Sequence, residues 1–103
     1  MIKETETEDC IALDELKMNL TAGNHIQIID VRSPEEFAEK HIPEAVNIPL
    51  DELERAFSRL DEHLFFITTC GKGGGRSAKG AEILRQGGFR STWLCGGTFG
   101  WFD

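Results

Sequence analysis

The chain has 103 residues, 40% of them hydrophobic and 28% charged, enough for a single core that needs no cross-links. Its 18 acidic against 11 basic side chains give a formal net charge of −7 and a pI near 4.9, which argues against nucleic acid and anionic membrane as general partners. The first nine residues lack an apolar stretch, so residues 1–9 are expected to be a polar lead-in rather than a signal or membrane segment, and 10–103 one domain. The cysteines Cys10, Cys70 and Cys95 have no C-x-x-C spacing and suggest a reducing cytoplasm. His25, His41 and His63 have no ligand-pair spacing, so no metal is expected.

In chain order, Cys10–Ala12 is predicted as a short first strand, and Leu13–Leu20 as a helix ended by Ala22-Gly23-Asn24. Ile26–Val31 is a β-branched run of strand length. It leads into Ser33-Pro34-Glu35-Glu36, the pattern of an N-cap, a proline at the first helical position and a glutamate at the third. A turn at His41-Ile42-Pro43 and a short strand near Ala45–Pro49 follow, and then an amphipathic helix is predicted over 50–60, with apolar residues at 50, 53, 57 and 60. Leu64–Ile67 reads as a buried strand, Ser77–Gln86 as a helix stopped by Gly87-Gly88, and Ser91–Cys95 as a last strand. The aromatic residues Phe99, Trp101 and Phe102 are expected to close the core. Strands alternating with helices predict an α/β fold: an open, mainly parallel sheet of about five strands covered on both faces.

Between the strand at 64–67 and the helix at 77 lies Cys70-Gly71-Lys72-Gly73-Gly74-Gly75-Arg76-Ser77. Glycines allow positive φ, so successive N–H groups can turn around one point, and a helix N-terminus behind them adds free donors and positive potential. Such a ring binds anions, and a thiolate at Cys70 is one of the anions it would stabilise. Cys70 is therefore the candidate nucleophile, with Gly71, Lys72, Gly73, Gly74, Gly75, Arg76 and Ser77 as the substrate-binding loop. Asp30 stands at a strand's carboxyl end, where open α/β sheets place their ligands. Cys95, at the end of another strand, is a candidate resolving thiol; Cys10 is assigned no role.

This loop resembles that of the rhodanese-like domain family, which starts with a cysteine at a strand tip and ends with Arg-Ser or Arg-Ala opening a helix. Two further stretches carry the same resemblance: Asp30–Phe37 with His41-Ile42-Pro43 and Ala45–Pro49, and Leu94-Cys95-Gly96-Gly97 with Trp101. The resemblance implies the rhodanese-like fold and sulfur transfer. Cys70 would take sulfane sulfur from a small anionic donor such as thiosulfate, or from a persulfide. It would pass that sulfur to cyanide, a small thiol or a protein thiol, with no cofactor beyond the covalent persulfide. The family's aspartate pairs with the loop arginine, so Asp30 is expected to hold Arg76, leaving Arg32 to pair with Glu36 as scaffold. His41 matches a structural histidine. Lys40 and Glu44 stand where the family usually has glycine, which puts the local turn geometry in question.

Five residues separate Cys70 from Arg76 where the family usually has four, and that spacing is similar to Cdc25-type phosphatases and arsenate reductases. The loop has no carboxylate to protonate an alcohol leaving group, and Thr69 stands where those enzymes carry histidine. Arsenate reduction would need a second thiol. A non-catalytic binding or sulfur-carrier module is the third class.

Overall fold

Isoleucines at 26, 28 and 29 and paired apolar residues at 65–67 form the two central strands of a parallel sheet, because both runs must be buried on two faces. The computed structural model describes residues 10–103; the lead-in expected at 1–9 lies outside the described residues. In chain order the elements are α1 (Leu13–Thr21), β1 (Ile26–Asp30), α2 (Pro34–Glu39), β2 (Val46–Asn47) and two 3-10 turns (Leu50–Glu52 and Glu54–Arg59). They are followed by β3 (Phe65–Thr69), α3 (Gly75–Gln86), β4 (Arg90–Trp93) and α4 (Gly97–Phe102).

The sheet order is β2-β1-β3-β4, and every pair is parallel. In register, Asp30 lies opposite both Asn47 and Thr69, so the last residues of three strands share the carboxyl edge from which Cys70 emerges. Alternation along the strands splits the core. Ile28 and Ile67 pack with Leu16, Ile42 and Leu94 on one face; Ile29 and Phe66 pack with Leu53, Leu84 and Cys70 on the other.

The strand count is four among the described residues, one fewer than expected. The segment predicted as the first strand contributes a single bridge, Ile11 to Leu94, with the Ile11 N–H donating to Trp93 and the Cys95 N–H to Ile11. The helix predicted over 50–60 is instead two 3-10 turns, held by i→i+3 bonds such as Leu53 to Leu50 and Ala56 to Leu53. Leu50, Leu53 and Ala56 recur every third residue, and the threefold turn stacks that row onto the sheet. The aromatic end also differs from expectation. Trp101 packs on the core, while Phe99 and Phe102 are 49% and 41% exposed.

The helix signals near 33 are realised in full. The Ser33 hydroxyl accepts from the Glu36 N–H, and Glu36 accepts from the Ser33 N–H, a complete capping box with Pro34 behind it. Glu44 takes φ of 71°, and among the described residues no other non-glycine has positive φ, so the turn usually given glycine keeps its left-handed shape with a glutamate in it. Lys40 is extended, with φ of −170°. The His41 ring stacks on Phe37 at 3.8 Å between centroids and its Nδ1 donates to the Phe37 carbonyl at 2.8 Å, a structural role as expected.

Candidate active site

β3 ends at Thr69 because the next residue turns out of the sheet: its neighbours' edge groups are already used, Val31 N–H by Thr69 and Leu94 N–H by Thr68. Alternation puts Thr68 and Cys70 on the α3 face and Thr69 on the opposite one. Thr68 Oγ1 donates to the Ser77 carbonyl at 2.7 Å, fixing the first turn of α3 against the strand. Thr69 Oγ1 meets Thr98 Oγ1 at 3.2 Å, fixing α4 from the other side. Cys70, 5% exposed, is held between the two helices.

α3 begins at Gly75, two residues earlier than predicted, which brings Arg76 into its first turn. Gly74 supplies the break, with φ of 74° and ψ of −160°, a conformation open essentially to glycine. Gly73 and Gly75 also have positive φ.

The loop carbonyls are drawn toward α4. Thr98 N–H donates to the Cys70 carbonyl at 2.7 Å, and Phe99 N–H to that of Gly71 at 2.9 Å. Among the described residues the N–H groups of Gly71, Lys72, Gly73 and Gly74 donate to no protein acceptor. Four donors at the loop are thus available to an anion. One carbonyl departs from the expected all-donor ring. Gly74 O accepts from Cys70 Sγ at 3.1 Å, from Ser77 Oγ at 3.0 Å and from Ser77 N–H at 3.0 Å. Ser77 Oγ lies 3.3 Å from Sγ, so the sulfur of the resting thiol has a carbonyl and a hydroxyl beside it.

The charged groups pair differently from expectation. Asp30, fully buried, binds Arg32 rather than Arg76: Arg32 Nε and Nη2 donate to its carboxylate at 2.9 and 2.8 Å, and Arg32 N–H at 3.1 Å. Arg32 Nη2 also donates to the Lys40 carbonyl. Two residues apart, Asp30 and Arg32 satisfy each other locally, and among the described residues the aspartate's carboxylate accepts no hydrogen bond from the loop. The hydrogen bond to Asp30 raises the affinity of Arg32 for its proton.

Arg76 binds Glu36, its Nη1 and Nη2 donating at 2.9 and 3.2 Å across 40 residues of sequence. Hydrogen bonds from Arg76 first, then from the Ser33 backbone, hold the Glu36 carboxyl down to about 2. The same bond, with the charge of Glu36, raises Arg76 above its ordinary value. Glu36 therefore caps α2 and anchors the loop arginine. Its capping motif is legible in the sequence; its second role is not, because α2 meets α3 only in the folded chain.

Cys95, expected as a candidate resolving thiol, is not a free thiol in the structure. It is disulfide-bonded to Cys10, with Cα atoms 5.0 Å apart, and Cys70 is the one free cysteine among the described residues. The bridge at Ile11 is what brings the two together. Sequence reading also missed Gly97, Thr98 and Phe99, which form the platform under the loop; the glycine pair at 96–97 was the available signal.

A family model described as the rhodanese-like domain matches residues 12–103. The Bacillus subtilis (strain 168) protein YrkF, provisionally named a sulfur carrier protein, is 34% identical over 78% of this chain, which spans only 43% of that protein's length. The thiosulfate:glutathione sulfurtransferase of Homo sapiens is 37% identical, the match covering 79% of this chain and 84% of that protein. Among solved structures, a rhodanese-like domain protein from Staphylococcus aureus superposes with a TM-score of 0.82 at 36% identity, covering 91% of each chain. Among the described residues no helix is long and apolar enough to cross a membrane.

Proposed function

The chain belongs to the rhodanese-like domain family, and from that premise we propose that it transfers sulfane sulfur through a persulfide on Cys70. One observation carries the reading: a free cysteine emerges at the carboxyl edge of the sheet beside four loop amides with no protein acceptor, with Arg76 in the helix turn behind it. After the Cys70 thiol gives its proton to solvent, the thiolate attacks the outer sulfur of thiosulfate. A new Sγ–S bond forms, the donor's S–S bond breaks, and sulfite leaves with the electron pair. A persulfide donor would react in the same way and leave as a thiolate. An acceptor thiolate or cyanide then attacks the terminal sulfur, the Sγ–S bond breaks, and Cys70 thiolate is restored. The loop amides would hold the terminal sulfur, and Lys72 and Arg76 supply the positive potential that draws in an anionic donor to an acidic protein.

Two relatives support the class. The human protein's name joins thiosulfate to glutathione, and the Bacillus protein's name describes a carrier of sulfur. The five-residue spacing leaves oxyanion chemistry as the second reading, but the thiol that arsenate reduction would call on is joined to Cys10.

Intact-protein mass spectrometry after mixing with thiosulfate tests the proposal. The expected result is a cyanide-labile gain of one sulfur atom, absent in Cys70→Ser. No gain, or an equal gain in Cys70→Ser, would refute it.

A further inference from the structure

One carbonyl in the loop faces the wrong way for an anion. Gly74 O accepts from Cys70 Sγ at 3.1 Å, and from the Ser77 hydroxyl and the Ser77 N–H, each at 3.0 Å. That arrangement suits a thiol, whose S–H is a donor. It does not suit a thiolate, because sulfur and carbonyl oxygen would then meet at the same distance as two negatively polarised atoms with no proton between them.

The peptide that carries this carbonyl can exchange it for a donor. No peptide among the described residues is cis, so the Gly75 N–H points opposite to the Gly74 carbonyl and away from Sγ. It donates to no protein acceptor among the described residues. A half-turn of the Gly74–Gly75 peptide takes Gly74, at φ 74°, from ψ −160° to about +20°, and Gly75 from φ +45° to about −135°. Gly74 thereby leaves a region that is essentially glycine-only for the left-handed helical one, and Gly75 leaves positive φ altogether. The peptide lies at an open surface: Gly75 is exposed, and a Cβ added at either residue meets nothing within 4 Å.

We infer that the Gly74–Gly75 peptide is a moving part of the site: when Cys70 ionises it rotates by half a turn, withdrawing the Gly74 carbonyl and presenting the Gly75 N–H to the sulfur. The inference deepens the sulfur-transfer reading above and rests on it. The proton of the thiol goes to solvent, and the rotation itself makes and breaks only hydrogen bonds. It also releases the Ser77 hydroxyl, 3.3 Å from Sγ, from Gly74 O, so that this hydroxyl donates to the thiolate instead. Two glycines in sequence at this point serve the resting thiol state, which holds both at positive φ.

The consequence runs against the usual effect of altering a loop glycine. Alanine is penalised in the resting conformation at either position and much less in the rotated one, so Gly74→Ala and Gly75→Ala should each favour the rotated, thiolate-binding state. A left-handed penalty of the ordinary size corresponds to a factor of about five to thirty in that equilibrium. The charged groups around the loop are unchanged in both variants. They are Lys72 in the loop, Arg76 with its partner Glu36 on α2, the Asp30–Arg32 pair at the end of β1, and Asp51 and Glu54, which share a groove with Arg76. The α4 helix, Gly97–Phe102, contains no titratable side chain.

The test is the rate of Cys70 alkylation by iodoacetamide from pH 5 to 10, followed by intact mass, with thiosulfate loading measured in parallel and thermal melts as the fold check. In Gly74→Ala and Gly75→Ala the midpoint of the alkylation profile should move about 0.7–1.5 pH lower than in the native chain, the logarithm of that factor. Below the native midpoint alkylation should be about two- to sixfold faster, since a less basic thiolate is a weaker nucleophile. Gly88→Ala is the control: its φ is +96° with nothing within 4 Å of an added Cβ, and it lies past the far end of α3, so its profile should match the native one. In a crystal of the native chain loaded with thiosulfate, the Gly74 carbonyl should point away from the sulfur. Native-like profiles in both variants, or a move to higher pH, with normal loading of the native chain, would overturn the rotation alone. Failure of the native chain to load would remove the sulfur-transfer reading, and the alkylation profiles would still decide whether the peptide turns.

Discussion

Gly97→Ala should damage the loop from beneath it. Gly97 has φ of +61°, and a Cβ built there would lie 2.6 Å from both the Gly71 carbonyl oxygen and the Gly73 nitrogen, and closer still to the Cys70 carbonyl oxygen. All three are backbone atoms, so no side-chain rotation relieves the overlap. The neighbouring Gly96 is the control: its φ is +80°, but a Cβ would meet only Gly100 Cα, at 3.7 Å. Both substitutions incur the left-handed penalty of about 1–2 kcal/mol. Only Gly97→Ala must also separate α4 from the loop, breaking the bonds from Thr98 to Cys70 and from Phe99 to Gly71, each worth ~0.5–1.5 kcal/mol. The expected losses are about 2–5 kcal/mol for Gly97→Ala and about 1–2 for Gly96→Ala. With a urea m-value of about 1.5 kcal/mol/M, the midpoints fall by about 1–3 M and about 1 M. Sulfur loading should drop at least tenfold in the first variant and stay near native in the second, measured by mass at a urea-free concentration where both are folded. Equal midpoints and equal loading would show that the loop does not depend on the α4 platform.

The Cys10–Cys95 bond closes a sequence separation of 85, for which loop entropy predicts a stabilisation approaching about 4–5 kcal/mol, commonly realised as ~2–4. Dithiothreitol should therefore lower the melting temperature of the native chain by roughly 10–20 °C and leave that of Cys95→Ser unmoved. Asp30→Asn leaves the buried Arg32 guanidinium without its charge partner and should lower stability by about 3–5 kcal/mol in urea titration, although neither residue touches Cys70 in the hydrogen-bond network. The Glu36 carboxyl is held down to about 2 from an ordinary 4.5, so its contribution is fully present above pH ~4.5 and is lost as pH falls toward 2. With 46% and 40% of the Arg76 and Glu36 side chains exposed, that contribution is ~0.2–1 kcal/mol, and Glu36→Gln should flatten the stability–pH curve in this window by that amount.

What the sequence determined by itself is local. An apolar run, a cysteine, a glycine-rich turn and a helix-start pattern specify strand, loop and helix over 64–86 from neighbours a few residues apart, and Ser33-Pro34-Glu35-Glu36 specifies a capped helix in the same way. Cys70 at a strand tip and the parallel α/β class follow from those signals, since strands separated by helices cannot pair as hairpins. The partners were decided only by the tertiary structure. Whether Asp30 takes Arg32 or Arg76 depends on where β1 and α3 end relative to each other, and α2 reaches the loop arginine first. Whether Cys95 faces Cys70 or Cys10 depends on the bridge that lays Ile11 beside Leu94, a contact between residues more than eighty positions apart. The platform at 97–99 belongs to the same class: its N–H groups act on carbonyls that only the sheet's edge brings within hydrogen-bond range, so no local period in the sequence records it.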